Sequence, residues 1–171
     1  MDQLENGNDA DTTLKTVTID LPNLEYRQLT VVDINGNTAC HTGSKILGVN
    51  AESQGHHCCA AGNLLNNESV PGAMTKKFKA LNGIHLAERL MLSLKAGLDA
   101  GGEAGDVHSS ALMVSHNQTF PLVDLRVDWS NECPVSQLYL LWKDYEPQMM
   151  DYLTRAINPA KAPSYGVAGD L

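Results

Sequence analysis

The chain has 171 residues, 43% of them hydrophobic, with 12 Lys and Arg against 20 Asp and Glu for a formal net charge of −8. That length suits one domain with a sizeable core. The acidic balance excludes the concentrated basic surface that a phosphate backbone or anionic lipid requires, so neither nucleic acid nor a membrane is expected as a partner. The longest apolar-rich run, residues 86–98, is interrupted by Glu88, Arg89, Ser93 and Lys95, well short of the roughly 20 apolar residues of a bilayer span. The opening Met1-Asp2-Gln3-Leu4-Glu5-Asn6 has neither the basic region nor the apolar core of a signal peptide, so a cytoplasmic location is expected. Cys40, Cys58, Cys59 and Cys133 are then expected as reduced thiols.

Residues 1–21 have weak helical character. Leu4, Leu14 and Val17 share a helical face, but Gly7 and Asn8 interrupt it, so the stretch reads as the end of one helix and the start of another. Pro22-Asn23 is a turn. Residues 26–34, centred on Thr30, Val31 and Val32, predict a strand. Asn35-Gly36 then signals a hairpin, expected as a type I′ turn with positive φ at both positions, and residues 38–42 form the return strand. Residues 43–55 show little periodicity and read as a loop, and residues 57–65 hold a short strand. Val70, Met74, Phe78 and Leu81 recur at helical spacing. Leu86, Leu90, Leu94 and Leu98, with Ala87 and Met91 beside them, predict an amphipathic helix ended by Gly101, Gly102 and Gly105.

Two further strands are predicted at 110–115 and 122–127, joined by a turn around Asn117-Gln118. In the second, Val123, Leu125 and Val127 alternate with Asp124, Arg126 and Asp128, which implies one buried and one polar face. A last helix starts at Pro134, with Val135, Leu138, Leu141, Trp142 and Tyr145 on its apolar face. From Pro159 onward the tail, with Pro163, Gly166 and Gly169, is expected to be irregular and partly extended. The expectation is one domain over 1–158 and a tail over 159–171. Hairpins imply antiparallel pairing, so an α+β class is preferred to a doubly wound α/β fold.

His56-His57-Cys58-Cys59, with Cys40 and His41 upstream, contains zinc-type ligands. Adjacent residues on a strand point to opposite faces, however, so no metal site is expected. Cys58 or Cys40 as a nucleophile needs a nearby base or positive charge, and a small buried hydrophobe is the commoner role. Thr42 and Ser44 follow a hairpin strand and line a pocket at the sheet end, or else belong to a turn that uses Gly43 for a positive φ. Arg126 either grips a substrate carboxylate bidentately or joins an ion-pair ladder with Asp124 and Asp128. The Gly101-Gly102-Glu103-Ala104-Gly105 run lacks the strand and the Lys-Ser/Thr pair of a phosphate loop.

Four blocks carry a family resemblance: Tyr26-Arg27-Gln28-Leu29-Thr30-Val31-Val32-Asp33 with His41-Thr42-Gly43-Ser44; Ala61-Gly62-Asn63-Leu64-Leu65; Leu86-Ala87-Glu88-Arg89-Leu90 running on to Ala100-Gly101-Gly102-Glu103 and Ser109-Ser110-Ala111-Leu112; and Val123-Asp124-Leu125-Arg126-Val127-Asp128 with Pro134-Val135. In order and spacing they resemble the bacterial Ntn-hydrolase-like family called domain of unknown function 1028, whose members are often labelled fimbrial-assembly or major-pilin proteins.

The resemblance implies an antiparallel β-sandwich flanked by helices in an αββα order. It also implies hydrolysis of a small amide or peptide-like bond, without a cofactor. In true Ntn hydrolases a processed N-terminal Thr, Ser or Cys attacks, with its own α-amine as base. Here Met1 is followed by Asp2, so the resemblance implies a chain that lacks the family's leading strands and the catalytic residue they carry. It points to Thr42, Ser44, Asn63, Glu103, Ser109 and Arg126 as pocket residues for a small-molecule amide substrate. Two departures stand out: Ala61 where many members have Gln, and residues 105–108 where many carry Arg. A noncatalytic binding or assembly module on the same scaffold is the alternative. Missing strands would expose sheet surface, so a homo-oligomer is expected.

Overall fold

The structure is a computed structural model that describes residues 1–164 and Gly166. Helices and strands are mixed, as an α+β class requires, and the described strands form three two-stranded antiparallel sheets. The chain divides into two compact units, Met1–Val107 and His108–Leu171.

The first unit opens with α1 (Asp2–Glu5) and α2 (Ala10–Thr18), separated where Gly7 takes φ +82°. Asp9 caps α2 by accepting from Thr12 N at 2.7 Å. Asn23, in the left-handed region at φ 59°, introduces a 3₁₀ turn over Leu24–Tyr26, so the strand expected from residue 26 starts later. It is β1 (Gln28–Val32), paired with β2 (Thr38–Thr42) in a register that sets Gln28 opposite Thr42 and Val32 opposite Thr38.

The connecting turn is not type I′. Only Gly36 has positive φ, at +81°. Asp33 closes the loop instead: Asp33 N donates to Asn37 O at 3.0 Å, and the Asp33 carboxylate accepts from Asn35 N and Asn37 N, both at 2.9 Å. Gly43 likewise has no positive φ. It is needed for close approach, because a Cβ there would lie 2.2 Å from Glu25 O.

The expected loop over 43–55 contains a strand, β3 (Ala51–Gly55), paired with β4 (Cys58–Gly62) across the two-residue loop His56-His57. Glu52 and Gln54 on one face of β3 reach the first hairpin, where Thr42 Oγ1 donates to Glu52 Oε2 at 2.6 Å and Thr38 Oγ1 to Gln54 Oε1 at 3.1 Å. Ser53 on the other face shares a 2.7 Å hydrogen bond with Thr75. Thr75 lies in α3 (Val70–Ala80), which packs on α4 (Leu86–Asp99). Contacts therefore run from α2 to β1 and β2, from these to β3 and β4, and on to α3 and α4.

In the second unit, β5 (Ser110–Val114) pairs with β6 (Val123–Val127). Val123 is fully buried and Asp124 and Arg126 are exposed, as the alternation predicts. Helix α5 (Pro134–Tyr145) begins at its proline and buries Leu138 and Trp142 completely, while Leu141 is exposed. Pro147 interrupts the helix in a 3₁₀ turn over Glu146–Gln148, and a separate α6 (Met149–Ile157) follows that the sequence pattern did not resolve. The expected tail contains a 3₁₀ turn, Pro159–Lys161. Its residues Tyr165 and Val167–Leu171 lie outside the described residues.

Candidate functional site

Where the first two hairpins meet, three backbone and side-chain acceptors converge on Gln28. Its Nε2 lies 3.1 Å from Thr42 Oγ1 and 3.3 Å from both Ala51 O and Gly62 O. One carboxamide thus ties the start of β1 to the end of β2 and to both strands of the second hairpin. Thr42 passes the interaction on, its Oγ1 donating to Glu52 Oε2 at 2.6 Å.

Beside this chain of bonds lies a cavity of about 490 Å³, lined among others by Tyr26, Gln28, Lys45 and Asn63. Lys45 Nζ sits 5.0 Å over the Tyr26 ring and pairs with Glu25 at 3.2 Å. The mouth therefore offers a cation, an aromatic face and side-chain carboxamides. That set suits a small polar molecule with an amide or carboxylate group.

Of the pocket residues expected from sequence, the structure brings Thr42 and Asn63 to this end of the hairpins. Ser44 is exposed in the turn after Gly43. Glu103 is exposed and bridges Leu65 through its backbone, with Asn66 N donating to Gly102 O at 3.0 Å and Ala104 N to Leu64 O at 2.8 Å. Ser109 and Arg126 belong to the second unit, where both are exposed and Arg126 Nε lies 3.9 Å from Asp128 Oδ1. Gln28 and Glu52 were missed as site residues. The signal available was a polar residue at each strand end facing Thr42, which hydropathy reading discards as solvent-facing.

The cysteines divide between two faces. Cys59 faces the first hairpin, its Sγ 4.0 Å from Val31 O. Burial pushes the Cys40 thiol up to about 12, with Cys59 and Glu52 adding to the effect. Burial also raises Cys58, against an opposing pull from Arg89. Neither has the depressed pKa of a thiolate nucleophile. The His56 and His57 rings lie 3.8 Å apart, tilted by 52°, and among the described residues no three His, Cys, Asp or Glu side chains gather as metal ligands.

The family model described as "Family of unknown function (DUF1028)" matches residues 1–138. The crystal structure of protein SPO2555 from Silicibacter pomeroyi, which carries the same family designation, superposes with a TM-score of 0.75 at 30% identity. The match covers 86% of this chain and 63% of that one, so this chain spans less than two thirds of that relative's length. No curated protein matches the chain significantly. With most of its length matched by the family model and a solved relative of the same designation superposing on it, the chain belongs to the DUF1028 family of unknown function.

Proposed function

We propose that this chain forms part of an Ntn-type amidohydrolase that cleaves a small amide or peptide-like bond, with the cleft lined by Tyr26, Gln28, Lys45 and Asn63 as its substrate-binding side. The observation that carries the reading is the order of contacts in the first unit: helix α2, hairpin β1–β2, hairpin β3–β4, helices α3 and α4. Two facing sheets between helices are what an αββα sandwich requires, and the cleft opens at one end of those sheets. The nucleophile in this reading is a Thr, Ser or Cys on leading strands carried by a longer form of the protein, with its α-amine as base. Gln28 and Thr42 are positioning residues. They fix the edge of the cleft, Gln28 through its bonds to Thr42, Ala51 and Gly62 and Thr42 through its bond to Glu52.

The test is to read the genomic sequence upstream in frame, express the longer form, and follow amine release from a panel of small amides and dipeptides. The expected result is a processed N-terminal Thr, Ser or Cys and measurable turnover. Thr42→Ala in that form should lower kcat/KM by about tenfold or more, as loss of a positioning hydrogen bond does. A native protein whose N-terminus is Met1, with no turnover on any amide, would replace this reading with a noncatalytic binding module.

A further inference from the structure

At the opposite end of the β3–β4 hairpin a second cavity, of about 720 Å³, opens between the His56-His57 loop and helices α3 and α4. Its size lies within the range of about 300–1,000 Å³ usual for small-molecule clefts. Lys76, Lys79, Arg89, His56 and His57 line it, and no Asp or Glu does. In a chain with 20 acidic residues against 12 Lys and Arg, a concave wall holding three of those cations and no carboxylate is a local inversion of charge.

Among the described residues, these cations also lack a carboxylate partner. Lys45, Lys95 and Lys143 each pair with a carboxylate, but among the described residues Lys76, Lys79 and Arg89 do not. Arg89 is held rigidly, with its guanidinium 3.8 Å over the Phe78 ring and Nη2 donating to Phe78 O at 3.0 Å. Its Nε is buried and has no acceptor. Gathering like charges on one concave wall costs free energy, and an oxyanion in the cavity relieves it. The opposite wall is fixed as well. His57 takes φ +63°, its N donates to Gly36 O at 2.9 Å, and its ring occupies the space that a Cβ on residue 36 would need.

We propose that this cavity binds a small molecule through a doubly charged oxyanion, a phosphate or a pair of carboxylates, gripped by Lys76, Lys79 and Arg89. The concave shape and the overall acidity of the chain favour a small ligand over nucleic acid or lipid. The inference does not rest on the hydrolase reading, which uses the other end of the hairpins.

The experiment is calorimetric titration of the full chain with inorganic phosphate and, separately, with succinate, at fixed ionic strength in a zwitterionic buffer. Saturable binding of at least one of them, one per chain, is expected; the tighter of the two names the recognised group. The double variant K76A/K79A should weaken it about tenfold or more, as loss of charge-assisted contacts does, and Arg89→Lys should weaken it by a similar factor. Lys95→Ala, an exposed lysine of α4 that pairs with Asp99 and lines neither cleft, should leave it unchanged. Absence of saturable binding of both anions overturns the proposal. So does undiminished binding by K76A/K79A with an unaltered circular dichroism spectrum.

Discussion

One carboxylate determines how the first hairpin turns. Asp33 Oδ1 accepts from Asn35 N and Asn37 N, while Oδ2 accepts from Asn37 Nδ2 at 2.9 Å and from Ala10 N, at the start of α2, at 3.1 Å. The Asn37 side chain, with these backbone donors, holds the Asp33 carboxyl below the usual carboxylate range despite the opposing effect of burial. A folded-state pKa below that of the unfolded chain, about 3.9 for Asp, contributes stability above that value and loses it as pH falls through the folded value. Denaturant midpoints measured from pH 6 to pH 2.5 should fall less steeply for Asp33→Asn than for the wild type, and the variant should start lower at pH 6. Parallel curves would show that this carboxylate is not linked to folding. Cys40 carries the opposite sign. Its thiol, pushed up to about 12 by burial, stays protonated in the fold while the unfolded chain ionises near 8.5. Stability should therefore be full below pH 8 and decline as pH rises from there towards 12, and Cys40→Ala should flatten that decline. The sequence marks the place of the hairpin through Asn35-Gly36. It does not reveal the turn type, because Asp33 reads as the end of a strand until its four acceptor contacts are seen.

Among the elements, α4 was legible as a helix and its buried seam was not. The leucine repeat marks the helix, yet the buried residues are Ala87, Met91, Ser93 and Gly97, and Leu86 is exposed. The seam consists largely of small residues because α3 approaches closely: a Cβ on Gly97 would lie 2.7 Å from Met74 Cγ and 2.9 Å from its Sδ. Hydropathy sees large apolar side chains and misses a seam defined by their absence. Gly97→Leu should destabilise the chain by about 1–3 kcal/mol through overpacking, even though leucine is by about 0.8 kcal/mol the better helix former. A rise in the denaturant midpoint would show that the two helices have room to part. Strand β3 failed for a related reason. Glu52, Ser53 and Gln54 meet Thr42, Thr75 and Thr38 through hydrogen bonds, so no apolar alternation marks the strand. The cavity at Lys76, Lys79 and Arg89 was equally illegible, since its cations come from two helices and read singly as solvated positions.

For the whole molecule, the controlling fact is that every described strand sits in a two-stranded sheet, so each has one edge that no other described strand pairs with. Isolated two-stranded sheets are marginal in water, and open edges are templates for pairing with another chain. Apolar side chains add to this: Ile34 is 96% exposed and Trp129 71%, the latter stacked on His108 at 4.2 Å. Against association stands a net charge of −8, whose mutual repulsion keeps copies apart at low salt. The two terms respond oppositely to ionic strength, because salt screens the repulsion and leaves apolar burial intact. Light scattering coupled to size exclusion should therefore report a mass above 18.5 kDa that rises between about 0.05 M and 0.5 M sodium chloride, accompanied by binding of a hydrophobic dye. A monodisperse species of 18.5 kDa at both salt concentrations, with no dye bound, would mean that the open edges are already covered within one chain. The expectation of missing strands, and with it the placing of the nucleophile on a longer form, would then fail.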